Sequence, residues 1–178
     1  MTRNFEIVYN NTVKAEGFRD NDSIDKREEI YCGIARKFHP NWKGWKHIDW
    51  WETIFGMPKS NQIFAKLNED VMEFYYNTFW NNIRLNDMPM DLSKILYDVA
   101  VNMGSCKAIE FIQKALNTVN IEEKLWEDLK VDEIIGNKTI KTINIVDVNY
   151  MNKWKEVKIW YTHLKGFHYI NITENNES

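Results

Sequence analysis

Two acidic residues nine positions apart, Glu16 and Asp25, are the strongest candidates for chemistry in this chain. Hydrolysis of a glycosidic bond needs a carboxylic acid that protonates the leaving oxygen. It also needs a second group that stabilises or attacks the developing oxocarbenium centre, directly or through water. Glu16 suits the first role because it follows an amphipathic segment and stands near Ala15 and Phe18, which would shield its carboxyl from water. Asp25 suits the second role, since nine residues of non-helical chain can turn back and place it across a cleft.

Four neighbouring carboxylates compete with Asp25 for the second role, and these are Asp20, Asp22, Glu28 and Glu29. Aspartates in polar loops are also common turn formers that bond to their own backbone, so this interpretation stays open for Asp22 and Asp25. A distance of about 5 Å between the two carboxyl groups would indicate retention of configuration, and one of roughly 6.5 to 9.5 Å inversion. The spacing in the sequence is compatible with both.

The segment before Glu16 is predicted to be a helix. Its apolar residues recur at steps of three and four positions from Phe5 to Val13, and Gly17 is a suitable C-terminal cap. Residues 18–32 are polar and rich in turn formers, which predicts an irregular loop or a small β-hairpin lobe. The elements around the two carboxylates are therefore a helix end and a turning segment.

Most of the remaining chain also has helical periodicity, so the predicted fold class is mainly α. The cleanest apolar stripe runs from Leu92 to Met103 between a suitable N-cap at Asp91 and a C-cap at Gly104, and we expect a central buried helix there. Further predicted helices cover residues 32–38, 68–83, 105–116, 138–146 and 149–164, and residues 169–172 are a candidate strand.

The length of 178 residues favours one compact domain over residues 1–178, or two small halves that pack closely together. The two cysteines, Cys32 and Cys106, stand far apart, so we expect reduced and mostly packed thiols. A net charge of -3 argues against general nucleic-acid binding. The four histidines show no metal-ligand spacing, so no metal or other cofactor is expected.

Nothing in the sequence predicts export by the general pathway or insertion into a membrane. Residues 1–6 are polar and charged and do not begin the apolar run of a secretory signal peptide. No apolar stretch reaches the roughly 20 residues that span a bilayer. We therefore expect a monomer that is made in the cytoplasm.

A sugar polymer would be bound by polar side chains and by aromatic faces. The candidates for such contacts are Tyr31, Tyr97, Asn102 and Gln113. Structural roles are the alternatives: Tyr97 and Trp80 could pack in the core, Asn102 could tie a loop in place, and Gln113 could face solvent. Eight tryptophans exceed the usual need of a core of this size, although the four between positions 42 and 51 are expected to serve the scaffold first.

Three stretches of the chain, in order, resemble motifs of the glycoside hydrolase 108 family of bacterial and phage N-acetylmuramidases, with its associated peptidoglycan domain. The first consists of Glu16-Gly17, Asn21-Asp22, Asp25 and Gly33-Ile34. The second is YDVAVNMG at residues 97–104, and the third is VDEIIGNKT at residues 131–139. Agreement in three places is a stronger signal than one short motif.

The resemblance implies a lysozyme-like helical fold, with catalytic Glu16 in a muramidase-like half and a peptidoglycan-domain-like half after residue 90. It implies peptidoglycan glycan strands as the partner and substrate. A phage-type or prophage-type muramidase of this kind would cleave the β-1,4 bond between N-acetylmuramic acid and N-acetylglucosamine. Its route to the wall stays open between release through a holin, storage in the cytoplasm and specialised secretion.

The resemblance also leaves a second function open, which is a non-catalytic peptidoglycan-binding or regulatory protein on the same fold. The family has glycine, proline, Gly-Gly and threonine where this chain has Phe18, Lys26, Arg27-Glu28 and Ile30. Glycines and a hydroxyl group would shape the loop around Asp25, so their replacement motivates this alternative. A helical interaction protein unrelated to cell walls is a third hypothesis.

Overall fold

The computed structural model describes the backbone of residues 1–16, 19–20, 29–56, 65–121 and 124–176, and the side chains of residues 1–11, 29–56, 67–121 and 124–175. The chain forms two compact units, unit 1 over Met1–Thr78 and unit 2 over Phe79–Ser178. Their boundary lies earlier in the chain than the division that the sequence suggests after residue 90.

The described residues are mainly α-helical, with a small antiparallel sheet. Both features confirm the predicted fold class, a lysozyme-like helical fold with a β-hairpin lobe near residues 18–32. Unit 1 contains α1 (Arg3–Glu16), β1 (Arg19–Asp20), β2 (Ile30–Tyr31), β3 (Ile34–Ala35), α2 (Gly44–Phe55) and α3 (Ala65–Tyr75), which continues into a π-helical turn at Tyr76–Asn81. Unit 2 contains a short 3-10 helix (Leu85–Asp87), α4 (Met90–Met103), α5 (Ser105–Val119), α6 (Asn137–Asn149) and α7 (Met151–Asn176).

The helix α1 packs against the end of α3 in the core of unit 1. The ring of Phe5 lies 5.1 Å from that of Tyr76, and the ring of Tyr9 lies 5.8 Å from that of Tyr75. Phe5 and Tyr9 are both buried, which confirms the apolar face predicted from the periodicity. The helix that ends at Glu16 is therefore fixed by aromatic contacts along its earlier turns.

A tight turn joins β2 to β3, and it replaces the helix predicted over residues 32–38. Tyr31 pairs with Ile34, and the two residues between them, Cys32 and Gly33, have φ angles of 48° and 75°. Positive φ at both central positions is typical of a type I′ hairpin turn and is incompatible with a right-handed helix. The hydroxyl of Tyr75 donates to the Cys32 carbonyl at 2.8 Å, which holds this turn on α3.

The helix α2 lies in a stretch for which the sequence predicts no helix. Trp45 and Ile48 are buried, whereas Trp50 and Phe55 are 59% and 62% exposed. Apolar residues on both faces of a helix hide the three-to-four spacing by which an amphipathic helix is recognised.

The core of unit 2 is built by α4, α5 and α7. The predicted central helix is confirmed as α4, in which Leu92 and Leu96 are fully buried. The helix α7 runs well beyond its predicted end, so the candidate strand at residues 169–172 is wrong. Its apolar residues again lie on two faces, with Val157 and Tyr161 buried and Phe167 63% exposed. None of the helices in the described ranges has both the length and the apolar character required to cross a membrane.

The two cysteines are both free thiols. Cys32 is buried, and burial raises its pKa to about 11. Cys106 is exposed. The predicted packing is thus confirmed for Cys32 and wrong for Cys106.

Gly44, the first residue of α2, has no room for a methyl group. A Cβ atom there would lie less than 3.0 Å from ring atoms of Trp42, which is buried. We expect Gly44→Ala to lower the free energy of unfolding by about 1 to 3 kcal/mol, because the indole cannot shift without disturbing its neighbours. Urea denaturation measures this change.

Gly166→Ala is the matched control, because a Cβ atom at Gly166 of α7 would meet nothing within 4 Å. This variant should be neutral or up to about 1 kcal/mol more stable, since alanine favours a helix interior. Equal stability of the two alanine variants would contradict the packing at Trp42.

Candidate functional site

Glu16 is the last residue of α1, as the periodicity predicts. Its side chain lies outside the described residues, so its proposed role stays a prediction. The backbone of Glu16 leaves a helix whose buried Phe5 and Tyr9 pack on Tyr75 and Tyr76. The chain enters β1 at Arg19, three residues further on.

Asp25 lies outside the described residues, and so do the side chains of its rivals Asp20, Asp22 and Glu28. The strands that flank this segment are described. Asp20 of β1 lies opposite Ile30 of β2 in an antiparallel pair. The chain therefore reverses direction between these two residues, as the predicted hairpin lobe requires.

Glu29, the remaining rival of Asp25, is 2% exposed and is engaged in an ion pair. Its carboxylate lies 2.8 Å from Nη2 of Arg36, and the Arg36 backbone N–H donates to the Glu29 carbonyl at 2.8 Å. The Arg36 guanidinium also donates to both carboxylate oxygens of Asp49, at 3.0 and 2.9 Å. This geometry supports a structural role for Glu29 rather than a role as the second carboxylate of hydrolysis.

Arg36 connects the hairpin to α2 through more than its charge. Its guanidinium lies 4.4 Å from the ring centroid of Trp45, whose Nε1 donates to the His39 carbonyl at 2.7 Å. Burial alone would lower the pKa of Arg36, but hydrogen bonds to Asp49 and the charge of Glu29 outweigh it and raise the pKa. Arg36 and Asp49 are not among the predicted site residues, because no helical or strand period relates residues on a turn and on a separate helix.

Tyr31, one of the predicted glycan contacts, lies in the core of unit 1. Its ring is 5% exposed and stacks on that of Trp42, with centroids 6.1 Å apart and planes at 26°. The Nε1 of Trp42 donates in turn to the Asp70 carbonyl at 3.3 Å. These contacts support a packing role for Tyr31.

Two further predicted contacts, Tyr97 and Asn102, lie on α4 in unit 2. Tyr97 is fully buried, and its ring packs edge-on against Trp80 with centroids 5.7 Å apart, which supports the alternative of core packing. Asn102 is exposed near the end of α4, where its Nδ2 donates to the Asp98 carbonyl at 2.7 Å. Its exposure leaves Asn102 within reach of a ligand.

Gln113, the fourth predicted contact, is 1% exposed, so the alternative that it faces solvent is wrong. Its Nε2 donates to Asp132 Oδ1 and to the Ile134 carbonyl, both at 3.0 Å. Its Oε1 accepts from the backbone N–H groups of Asp132 and Glu133 at 3.1 and 3.2 Å. Both the amide nitrogen and the amide oxygen of Gln113 therefore bind the loop before α6. This geometry supports a structural role rather than a glycan contact.

Gln113 is one of three amide residues, two on α5 and one directly after it, that hold this loop. Asn117 exchanges two hydrogen bonds with the backbone of Leu129, at 2.7 and 2.8 Å. Asn120 donates to the Trp126 carbonyl at 2.5 Å and accepts from the Trp126 N–H at 3.3 Å. We call Gln113, Asn117 and Asn120 the amide row. Their helical spacing of four and three is the signal that could have revealed them.

One cavity in the described part of the chain is lined by none of the predicted site residues. In these ranges, no three His, Cys, Asp or Glu side chains converge to hold a metal ion. A cavity of about 450 Å³ lies where α6 meets α7, and its lining residues are Leu125, Asn149, Tyr150, Met151, Asn152 and Lys153.

Comparison with known proteins adds a family match to this geometry. The model of the family described as Glycosyl hydrolase 108 matches residues 9–104, which is more than half of the chain. No curated protein matches the chain. Among solved structures it is similar to SagA from Brucella abortus, with 15% sequence identity and a TM-score of 0.48 over 92% of this chain and 94% of that one.

The hydrogen bonds of Gln113 to the loop before α6 indicate that it contributes to stability. We expect Gln113→Leu to lower the free energy of unfolding by about 2 to 4 kcal/mol, because leucine leaves several loop N–H and C=O groups without partners. The neighbouring exposed Lys114 supplies the control, and Lys114→Gln should change stability by less than about 0.5 kcal/mol. Urea denaturation gives both values. Wild-type stability combined with weaker binding to peptidoglycan would contradict the structural role of Gln113.

Proposed function

Because the chain belongs to the glycosyl hydrolase 108 family, we propose that it is an N-acetylmuramidase. Family membership makes it a glycoside hydrolase and supports peptidoglycan as its substrate. The bond that we propose is the β-1,4 linkage between N-acetylmuramic acid and N-acetylglucosamine. The observation that carries the proposal is the extent of the family match, residues 9–104, which spans both Glu16 and Asp25.

Glu16 is the proposed general acid. It ends a helix that is anchored by Phe5 and Tyr9, so its backbone starts from a rigid element. Rigid support matters because a proton donor must stay within hydrogen-bond distance of the glycosidic oxygen. In the protonated state, the carboxyl group of Glu16 would give its proton to the leaving oxygen as the bond to the sugar carbon breaks.

Asp25 is the proposed second carboxylate. The pairing of Asp20 with Ile30 supports it, because Asp25 lies midway in the sequence between these two paired strand residues. The engagement of Glu29 by Arg36 removes one rival. In its anionic state Asp25 would stabilise the positive charge on the sugar, attack the sugar carbon or activate a water molecule.

Asn102 is the proposed polar contact of unit 2 with glycan. Its exposed amide could donate to or accept from an N-acetyl or hydroxyl group. Tyr31, Tyr97 and Gln113 are not included in this proposal, because each is buried among partners of its own unit.

Phage-type lysis is the proposed setting, in which the enzyme is made in the cytoplasm and reaches the wall when a holin opens the membrane. The proposed partner in the wall is the glycan strand of peptidoglycan, and the enzyme is proposed to act as a monomer.

Glu16→Gln tests the catalytic assignment. We expect the release of reducing sugar ends from purified peptidoglycan to fall by about 10² to 10⁴-fold, because glutamine cannot donate the proton. The thermal transition should stay at the wild-type temperature. Glu6→Gln is the matched control, since Glu6 is exposed in the first turn of the same helix and should keep wild-type activity.

The same assay separates the alternatives to this function. Activity retained in Glu16→Gln would remove Glu16 from the mechanism. Binding of the wild-type protein to peptidoglycan without cleavage would favour the non-catalytic protein that Lys26, Arg27, Glu28 and Ile30 motivate. Neither binding nor cleavage would favour a helical interaction protein.

The lysis setting makes a prediction about living cells. Bacteria that express the chain in the cytoplasm should stay intact until chloroform permeabilises the membrane and should then lyse within minutes, because only then can the enzyme reach the wall. Culture turbidity measures lysis, and cells with equal amounts of the Glu16→Gln variant are the control. Lysis of untreated cells would contradict release through a holin.

A further inference from the structure

Arg36 is held on three sides within unit 1. Its Nη2 lies 2.8 Å from the carboxylate of Glu29, and its Nη1 and Nη2 bond to the two oxygens of Asp49 at 3.0 and 2.9 Å. Its guanidinium covers the ring of Trp45 at 4.4 Å. Arginine suits this position because its planar fork can bond two carboxylates and stack on an aromatic ring at once. We call Glu29, Arg36, Asp49 and Trp45 the arginine clamp.

The arginine clamp joins the β lobe to α2. Glu29 directly precedes β2, and Arg36 directly follows β3, so the two residues close the open end of this hairpin. The Arg36 N–H also donates to the Glu29 carbonyl at 2.8 Å, which adds a backbone link. Asp49 and Trp45 lie on α2 and connect this hairpin end to a helix.

The degree of burial decides how strongly the clamp constrains β2. The side chain of Glu29 is 2% exposed and that of Arg36 is 16% exposed. A carboxylate removed from water is costly unless a cation balances it, so loss of Arg36 would strain or displace Glu29. Because Glu29 is adjacent to Ile30, any displacement is passed directly to β2.

The rate of a catalysed step is sensitive to small displacements of the reacting groups. A shift of about 1 Å in a reacting group can cost about 10²-fold in rate, even when the change lies away from the chemistry. Asp25 precedes Glu29 by four residues. Glu29 therefore fixes the chain at a point only four residues after the proposed second carboxylate.

We propose that Arg36 is a positioning residue for hydrolysis, because it fixes Glu29 and thus β2, the strand that follows the segment with Asp25. The inference rests on the proposed function, since it assumes that Asp25 takes part in the reaction. Arg36 acts on turnover rather than on affinity for glycan, because it lies between Glu29, Asp49 and Trp45.

Arg36→Lys tests this role with the charge retained. A lysine ammonium cannot reproduce the planar fork, so we expect kcat on soluble peptidoglycan fragments to fall by at least about tenfold. KM should stay within about twofold of wild type, because no glycan contact is removed. Arg84→Lys is the matched control, since Arg84 bonds Asp87 through Nε and Nη2 at 2.9 and 2.8 Å in unit 2. This control should keep the wild-type kcat.

A second pair of variants separates positioning from stability. Arg36→Met leaves the buried Glu29 without this cation and should lower the thermal transition temperature. Adding Glu29→Gln to Arg36→Met removes the anion as well, and it should recover most of the transition temperature without recovering kcat. Recovery of both would overturn the proposal, because the role of Arg36 would then be stability alone.

The outcome for the wild type distinguishes the two proposals. An active wild type with unchanged kcat in Arg36→Lys overturns the positioning role and leaves the proposed function intact. A wild type that does not cleave peptidoglycan overturns the proposed function, and the role of Arg36 in turnover is rejected with it. A fall in kcat at constant KM, absent from Arg84→Lys, supports both.

Discussion

The ion pair between buried Glu29 and Arg36 is the constraint on which the arrangement of unit 1 depends. Removing a carboxylate from water is unfavourable, and the structure compensates by bringing a guanidinium to it at 2.8 Å. That guanidinium can reach Glu29 only if β2 and β3 turn tightly between them, and positive φ at Cys32 and Gly33 makes this turn. The Arg36 guanidinium also bonds Asp49 of α2, so it fixes α2 against the hairpin.

In unit 2, the polar groups of a loop are paired with neutral side chains and not with charged ones. Residues 124–136, between α5 and α6, have no helix or strand, so their backbone N–H and C=O groups need partners from elsewhere. The amide row supplies them, since an amide side chain both donates and accepts, as a peptide group does. Gln113 binds the end of the loop nearest α6, whereas Asn120 binds the end that follows α5. Buried polar side chains thus fix the β2–β3 hairpin in unit 1 and the loop before α6 in unit 2.

Apolar periodicity predicts the helices whose apolar residues lie on one buried face, and it fails for those with apolar residues on an exposed face as well. The helices α1 and α4 have a single apolar stripe, and their predicted extents agree with the structure. In α2 and in the C-terminal half of α7, some aromatic residues face solvent while others are buried. The three-to-four spacing of apolar residues is therefore lost. The turn at Cys32 escapes prediction for another reason: cysteine rarely adopts positive φ, and only the paired Tyr31 and Ile34 impose it.

The prediction of site residues from the sequence is limited for a related reason. Residue type indicates which chemistry a side chain can do, but not whether the side chain is exposed. Tyr31, Tyr97, Asn102 and Gln113 all have side chains that could bind a sugar, and three of them are buried. Their burial depends on partners far away in the sequence, such as Trp42 for Tyr31 and the loop at Asp132 for Gln113. Asn102 alone among these four is exposed, and it lies near the C-terminal end of α4.

The departures of this chain from its family's motif can be weighed against the same contacts. The family's Gly-Gly is replaced by Arg27-Glu28 and its threonine by Ile30. Ile30 pairs with Asp20 and Ala35 on its two sides, a central strand position that a β-branched residue favours. Glu29, next to it, is fixed by Arg36. The start of β2 is therefore held by contacts that need neither the glycines nor the hydroxyl group of the family's motif.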